Sequence, residues 1–314
     1  MIIRGYNAAD EPTVIALWNV CMPLDMIDGD NFCRKIICDE NFNPDLFLIA
    51  EEANVGLLGF IYGTKCNRAD ELSGLQPEQA WIVAMGVHPE QRCKGIGTAL
   101  LVALEAALVR QSATTIEVGP YTPNYFFPGI DQEAYRDAVA FFKIHGYSES
   151  SSCVAMNLSL HGYQTPEKVA GKRAKLEKEG YVFRPFRLRD SLPAFGFLRE
   201  NFPYWLQNVR SSILACRAEK TIILACNPNG EIVGFVMRGM DGTEERFGPF
   251  GVHSSLQGTG VGGILFHALL SDMVVRRIFY TYFLWGEGRN SGIYSSWGMK
   301  TFRTYSMMGK ALQV

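Results

Sequence analysis

Two periodicities alternate along the chain, and their order predicts the elements. Residues 2–6 read as a strand. Asp10 then precedes Val14, Leu17 and Cys21 at helical spacing, so a helix is expected there. A short second helix is expected around 32–37. Residues 46–50 and 55–62 are rich in strand formers and are joined by a polar turn, the pattern of a hairpin. Residues 80–87 predict another strand, 97–110 a strongly apolar helix entered directly from glycines, 115–118 a strand and 134–144 a helix, with strand pattern again from Tyr147. The order is β-α-α-β-β-β-α-β-α-β. From Tyr181 it recurs: a helical region over 192–216, then strands at 222–225, 232–237, 247–252 and 278–284. Strands interspersed with helices in this way predict an α/β (α+β) chain with mixed sheets.

The recurrence extends to individual residues. Gly86-Val87-His88, Gly95, Gly97 and Leu100 match Gly251-Val252-His253, Gly260, Gly262 and Leu265 at one constant offset. Flanking blocks match in the same order at slightly larger offsets: Leu48-Ile49-Ala50 with Ile223-Leu224-Ala225, Arg4 and Asp10 with Arg184 and Asp190. His145-Gly146-Tyr147 stands where Trp297-Gly298-Met299 stands later. Ordered matches whose offsets drift are what a duplicated unit with loops of different length produces. The joint falls between Thr165-Pro166 and Gly180, where Thr suits an N-cap, Pro a first helical position and Gly the residue past the end. The expected organisation is an N-terminal domain over 1–160, a polar linker helix over 161–180 whose lysines and arginines form a solvated face, and a C-terminal domain over 181–314.

Composition narrows the class. The 314 residues are 47% hydrophobic and 20% charged, which excludes a disordered chain and suffices for two cores. Thirty basic against 32 acidic residues give a net charge of −2, so overall charge offers no reason to expect a nucleic-acid partner. No apolar run approaches the ~18 residues of a membrane span, and the first residues lack a signal-peptide pattern, so a cytoplasmic protein is expected. Eight scattered cysteines without a C-x-x-C pair read as free thiols. Five histidines without metal-ligand spacing predict no metal site.

The chemistry concentrates at the two glycine loops. A strand that ends in a glycine turn and enters a helix aims several backbone N–H groups, with the helix dipole, at one point, which favours a phosphate. There is no G-x-x-x-x-G-K-[ST] motif, so a P-loop is unsupported. Gly258 to Gly263 does satisfy G-x-G-x-x-G, which leaves a dinucleotide reading open. Against it, the matching loop of the first half carries Cys93 and Thr98 in place of two of those glycines, and the loop follows several strands instead of opening the fold.

Arg92-x-x-Gly95-x-Gly97 and Gln257-x-x-Gly260-x-Gly262 resemble the acyl-CoA pyrophosphate loop of the GCN5-related N-acetyltransferases, the GNAT family. The resemblance covers nearly the whole chain as two tandem units, a layout similar to that of the mycothiol synthases, though no motif points to their substrate. It implies two GNAT folds and acetyl-CoA as co-substrate. Residues Val87, Arg92, Cys93, Lys94, Gly95, Ile96 and Gly97 would hold the cofactor in the first half. Val252, Gln257, Gly258, Thr259, Gly260, Val261 and Gly262 would hold it in the second. In such folds the pantetheine arm lies where the strand before the loop splays from the strand after the helix, and the amine enters from the opposite side.

The resemblance also implies a proton donor to the leaving thiolate, a tyrosine four residues before a late glycine. Tyr294 before Gly298 supplies it in the second half, with Met299 in place of the usual Phe; the first half has Phe142 there, which cannot donate. Asn290 stands four residues before Tyr294 and Glu287 at seven, a departure from the family pattern. Glu244, Glu245 and Glu287 are open as bases acting through water, each also readable as a surface carboxylate. His88 and His253 read as one shared structural position. The stretch 120–131, with Tyr121, Tyr125, Phe126 and Phe127, is either an acceptor-lining insertion or an aromatic surface loop; Tyr204 and Trp205 are open in the same way. The expected function is acetyl transfer from acetyl-CoA to a small amine or peptide acceptor, with Tyr294 as general acid, or, alternatively, non-catalytic acyl-CoA binding. Aminoacyl transferases that pair two such folds use aminoacyl-tRNA, which the intact loops and the absent basic surplus argue against.

Overall fold

The computed structural model describes residues 1–66, 76–122 and 124–312, and of Arg289 the backbone only. The chain divides into two units, Met1–Cys153 with Arg303–Val314, and Val154–Phe302.

The first unit contains β1 (Ile2–Gly5), α1 (Glu11–Cys21), the short α2 (Gly29–Phe32), β2 (Phe47–Glu52), β3 (Gly56–Lys65), β4 (Gln79–Val87), α3 (Ile96–Arg110), β5 (Thr115–Val118), β6 (Ile130–Asp131), α4 (Arg136–Ile144) and the start of β7 (Ser148–Ser159). Strands β1 to β4 are antiparallel in sequence order and β4 runs parallel to β5. The helical period of α3 places Leu100, Leu104 and Leu108 on one face, and these bury against Ile61, Ile82 and Ile116. On the other side, Val14, Leu17 and Trp18 of α1 bury against Phe47, Phe60 and Tyr62.

The second unit contains α5 (Glu167–Lys178), β8 (Val182–Pro185), α6 (Ser191–Asn201), α7 (Leu206–Leu214), α8 (Ala218–Thr221), β9 (Ile222–Cys226), β10 (Ile232–Arg238), β11 (Phe247–Val252), α9 (Val261–Val275), β12 (Tyr280–Gly286) and α10 (Gly288–Ser296). Strands β8 to β11 form an antiparallel sheet in sequence order. Helix α9 buries Ile264, Leu265, Leu269 and Met273 against it, as α3 does in the first unit.

The duplication is visible at atomic level. Arg4 makes a two-pronged pair with Asp10, at 2.7 and 2.8 Å, and Arg184 makes the same pair with Asp190, at 2.6 and 2.9 Å. Each aspartate also accepts a backbone N–H from three residues before it, Asn7 or Arg187. This is the physical reason that these two positions match in the sequence.

The last strand, β13 (Lys300–Ala311), behaves differently from a simple tandem. Its residues from Arg303 belong to the first unit, where Met308 to Ala311 pair with Val118 to Thr115 of β5 and Tyr305–Ser306 pair with β6. Conversely, residues 154–159 of β7 belong to the second unit and pair with β12. Each half of the sequence therefore lends part of its final strand to the other unit. The division differs in this respect from one made at 160 and 181, because a strand's period says nothing about which distant edge it will meet. The helix α5 belongs to the second unit. Its start also differs from expectation: Pro166 is the N-cap with no side-chain cap, because the Thr165 hydroxyl is engaged with Ser271 at 2.9 Å. Gly180 follows its end at φ +93°, as expected.

Candidate functional site

Both glycine loops adopt the same backbone. Gly95 and Gly260 are the N-caps of α3 and α9, in the left-handed region at φ +81° and +97°. Cys93 and Gly258, equivalent by sequence, share the left-handed region at φ +59° and +78°. The first loop thus obtains with a strained cysteine what the second obtains with glycine. The Ala99 and Ile264 N–H groups close the first helical turns on the Gly95 and Gly260 carbonyls, which leaves the preceding N–H groups without helical partners. Ile96 and Val261 are buried, so these residues offer the loop their backbone alone. His88 and His253 cap the short turn before each loop, accepting from Glu90 N–H at 3.3 Å and Ser255 N–H at 3.2 Å. Their equivalence is that of a turn cap.

In each unit a gap opens beside the loop. In the first, β4 and β5 pair from Gln79–Thr115 to Ile82–Val118 and then part, while β4 continues to Val87. In the second, Arg246, just before β11, bridges Tyr282 of β12, and among the described residues no further pairing joins the two strands, while β11 continues to Val252. The late, unpaired stretches of β4 and β11 present backbone groups to the gap.

The loops differ in charge. Arg92 donates to the Val87 carbonyl at 3.2 Å and Lys94 to the Gln91 side chain at 2.9 Å, so the first loop keeps two cations at hand. From Gln257 to Gly263 there is none, and Thr259 bonds the Leu256 carbonyl at 2.6 Å. Instead, the aliphatic end of Lys172 from α5 lies across Gly260: a Cβ built there would stand 2.4 Å from Lys172 Cε and 2.7 Å from Nζ. Sequence reasoning assigned the basic residues of this helix to solvent, and Lys172 is indeed exposed, but its side chain also reaches the loop.

Tyr294 stands across the second gap. Its ring lies 5.6 Å from Phe247 on β11 and 4.8 Å from Phe283 on β12, with Phe250, Phe266 and Trp297 completing an aromatic surround. Trp297 and Phe250 in turn approach Gly262 at the loop. Burial raises the Tyr294 phenol well above its ordinary range, so it holds its proton at neutral pH. Among the described residues none accepts a hydrogen bond from it. In the first unit Phe142 is buried in the core. Met299 is buried likewise in the second.

The three glutamates fare unevenly. Glu244 pairs with Arg217 at 2.9 Å and with the buried Arg238. Its burial would raise its pKa, but the two guanidiniums outweigh this and hold it below the usual carboxylate range. A carboxylate held in this way is a poor proton acceptor. Glu245 offers its backbone carbonyl to Tyr282 and Thr281, and Glu287 accepts from the Trp285 indole. Tyr204 is exposed, and Trp205 packs against the core beneath α6.

The stretch 120–131, apart from Pro123, which lies outside the described residues, is tied down. Tyr121 donates to Asp39 at 2.7 Å and accepts from Asn41 at 2.9 Å. Lys35 donates to the Tyr125 carbonyl at 2.7 Å and lies 4.2 Å over the Phe126 ring. It is an ordered aromatic cover on the region that follows α1. Close by, the sequence reading missed a charged cluster: Arg303 of β13 pairs with Asp25 and Asp131, and Tyr135 donates to Asp25 at 2.6 Å. Asp25 and Arg303 lie at opposite ends of the sequence, so no spacing signal could have joined them. Among the described residues no group of His, Cys, Asp and Glu could hold a metal ion, and no helix is long and apolar enough to cross a membrane.

Comparisons with known proteins agree with this geometry. The model of the acetyltransferase (GNAT) family matches residues 13–126. An acetyltransferase of Photorhabdus laumondii is 33% identical over 118 residues, 37% of this chain and 72% of the relative. One from Pectobacterium atrosepticum is 31% identical over 120 residues, 38% of this chain and 74% of the relative. Among solved structures, the GCN5-related glucosamine N-acetyltransferase region of a fungal multi-domain GH3 β-N-acetylglucosaminidase superposes with a TM-score of 0.82 at 20% identity; it covers 98% of this chain, which spans 38% of that protein. A GCN5-related N-acetyltransferase from Sphaerobacter thermophilus gives 0.72 at 18% identity, over 100% and 96% of the two chains. A tandem GNAT protein of the clavulanic acid biosynthesis pathway gives 0.69 at 13% identity, over 100% and 99%. At these identities the structural likenesses establish the fold, two GNAT units in tandem.

Proposed function

Because this chain belongs to the GNAT family of acetyltransferases, we propose that it transfers the acetyl group of acetyl-CoA to a primary amine, with Tyr294 as the acid of the second unit. The observation that carries this reading is the protonated phenol standing across the gap between β11 and β12 beside the Gly260 loop. The loops suit acetyl-CoA because left-handed glycines and free helix-start N–H groups are the complement of a diphosphate. The cofactor supplies the activated thioester; the chain binds its diphosphate, orients its arm along the free edge of β11 and excludes water.

The acceptor must arrive as a free amine, since an alkylammonium with a pKa of ~10.4 has no lone pair to give. Its nitrogen attacks the thioester carbonyl, the C–S bond breaks with its electron pair moving to sulfur, and one proton in all passes from nitrogen to sulfur. Burial makes the Tyr294 phenolate costly, so complete transfer of its proton to the sulfur before the bond breaks is uphill. As the acid it passes its proton to sulfur only as the C–S bond breaks and charge develops there, giving CoA thiol, and the proton shed by the amine nitrogen restores the phenol. The second unit is thereby the catalytic one. The first, with Phe142 buried at the equivalent position and cations of its own at the loop, supports acyl-CoA binding without that acid. Acyl-CoA binding without catalysis by the whole chain is the competing reading.

An amino sugar is the first acceptor to screen, because a fold neighbour is described as a glucosamine N-acetyltransferase region. Calorimetry with acetyl-CoA on the wild type, Gly95→Glu and Gly260→Glu tests the loops: two equivalents, with one lost in each variant, are expected. Thiol release with an amine panel then tests chemistry. Tyr294→Phe should slow turnover by roughly 10²-fold or more with acetyl-CoA binding retained; an unchanged rate would rule out Tyr294 as the acid.

A further inference from the structure

We propose that Lys172, on α5, is the phosphate-binding cation of the second loop: the loop itself carries no charge, and the helix between the two sequence repeats supplies it. The inference rests on the reading of the Gly260 loop as an acyl-CoA diphosphate seat. Its own observation is the lysine lying across Gly260, with Cδ, Cε and Nζ all nearest neighbours of the position a side chain would take there.

The placement of Lys172 follows from how α5 is held. Val169 and Leu176, seven residues apart, pack against the core around α9. Lys172 lies three residues after one and four before the other, which puts it on the same stripe. Upstream of α5, Tyr163 bonds His267 of α9 at 2.7 Å and Thr165 bonds Ser271 at 2.9 Å, so the chain is fixed as it enters the helix. Lys172 is itself exposed, and its stem reaches across to the start of α9 at Gly260.

Charge separates Lys172 from its neighbours. Arg173 and Lys175 of the same helix are paired with Glu177 at 2.8 Å and Glu179 at 3.9 Å. Among the described residues Lys172 has no carboxylate partner. The first unit offers the converse: nothing approaches the Cβ position of Gly95, and that loop carries Arg92 and Lys94 itself. One unit holds its phosphate charge within the loop, the other on a helix packed beside it. The ligand chemistry is a diphosphate on an acyl-thioester carrier, met by an ammonium and the N–H groups at the start of α9.

The test uses the full chain in a Gly95→Glu background, which leaves the second loop as the site read by calorimetry. Acetyl-CoA binding is compared for that protein and for the same protein with Lys172→Ala or Lys172→Arg, at two salt concentrations. Acetyl-pantetheine, which lacks the diphosphate, is the second ligand. We expect Lys172→Ala to weaken acetyl-CoA about 5- to 30-fold, to flatten the salt dependence, and to leave acetyl-pantetheine unchanged, with Lys172→Arg restoring most of the affinity. Equal loss for both ligands would mean that Lys172 supports the fold and binds no phosphate, which overturns the proposal. Unchanged acetyl-CoA affinity overturns it as well, and tighter binding in Lys172→Ala would make the lysine a plug on the loop instead. If the Gly95→Glu parent binds no acetyl-CoA, the reading of the second loop fails, and the proposal with it.

Discussion

Met308 sits near the C-terminal end of the chain, yet its side chain is 1% exposed inside the core of the first unit, with Ile116, Leu104 and Leu108 in the same cluster. Truncating it tests the strand assignment directly. A buried Met→Ala change costs about 2–5 kcal/mol, from lost transfer energy and the cavity left behind. For units of 150–250 residues each kcal/mol moves the midpoint by about 2–4 °C, so the transition of the first unit should fall by roughly 4–20 °C. Calorimetry reads the shift, and hydrogen exchange by mass spectrometry reads its location. Amides of β5 and α3 should exchange faster in Met308→Ala, and those of β9 and β10 should keep their protection. Met273→Ala is the matched control: that residue is fully buried on α9, and its loss should deprotect the second unit instead. If Met308→Ala deprotects β9 and β10 while β5 and α3 remain slow, β13 belongs to the unit of its own repeat, and the exchange of strands is refuted.

Other outcomes follow from charge and burial. Burial raises the phenols of Tyr62, Tyr121, Tyr147, Tyr294 and Tyr305. A raised folded-state pKa gives stability that is complete below the unfolded value near 10 and is lost above it, so in a Cys21→Ala/Cys226→Ala background, which removes two buried thiols of raised pKa, urea midpoints should hold level from pH 7 to 9.5 and fall steeply beyond 10; turnover should likewise show no loss attributable to Tyr294 below pH 10. Arg184, against the cost of burial, holds Asp190 below the ordinary carboxylate range. That contribution is present above pH ~4 and vanishes as pH falls through the depressed value, and Asp190→Asn should cost about 1–3 kcal/mol at pH 7, read by urea denaturation. Arg303→Met leaves Asp25 and Asp131 partly or wholly buried without their guanidinium. A loss of about 3–5 kcal/mol is expected at pH 7.5, and it should shrink at pH 4.5 as Asp131, no longer held low by Arg303, takes up a proton; an equal loss at both pH values would refute the electrostatic account.

Local features were legible in the sequence. The element order, the left-handed glycines at the two loops and the apolar faces of α3 and α9 depend on residues close together in the chain, and the structure has them where the pattern places them. The spacing of Tyr294 from Gly298, and of Phe142 from Gly146, singled these residues out through the family resemblance alone, and their roles stay with the proposal. What failed was long-range. Nothing in the alternation of β13 distinguishes the edge of β5 from any other, because a strand's inward residues look alike whichever core receives them. Glu244 was open as a base or a surface carboxylate; it lies at the surface, but its pairing with Arg217 and Arg238 could not be read because those partners come from other elements. Thr165 read as a cap, but its hydroxyl was taken by Ser271. Lys172 was a near miss: its place between Val169 and Leu176 on one stripe is plain in the sequence, but only the packing of α5 on α9 shows what lies at the end of that side chain.

The lending of strands sets a schedule for the making of the protein. The first unit has the residues of β1 to β5 by residue 118, but the strand that closes the free side of β5 begins its pairing at residue 308. Residues 153 and 303 bound the interval between the first unit's two segments, roughly 150 residues of synthesis, or about 8–30 s at ~5–20 residues per second. During that time β5 offers its bare edge to any strand in reach, including that of a neighbouring nascent chain. The second unit, whose residues run from 154 to 302, is all made before the first can close. The half of the chain born first is therefore the half that finishes last.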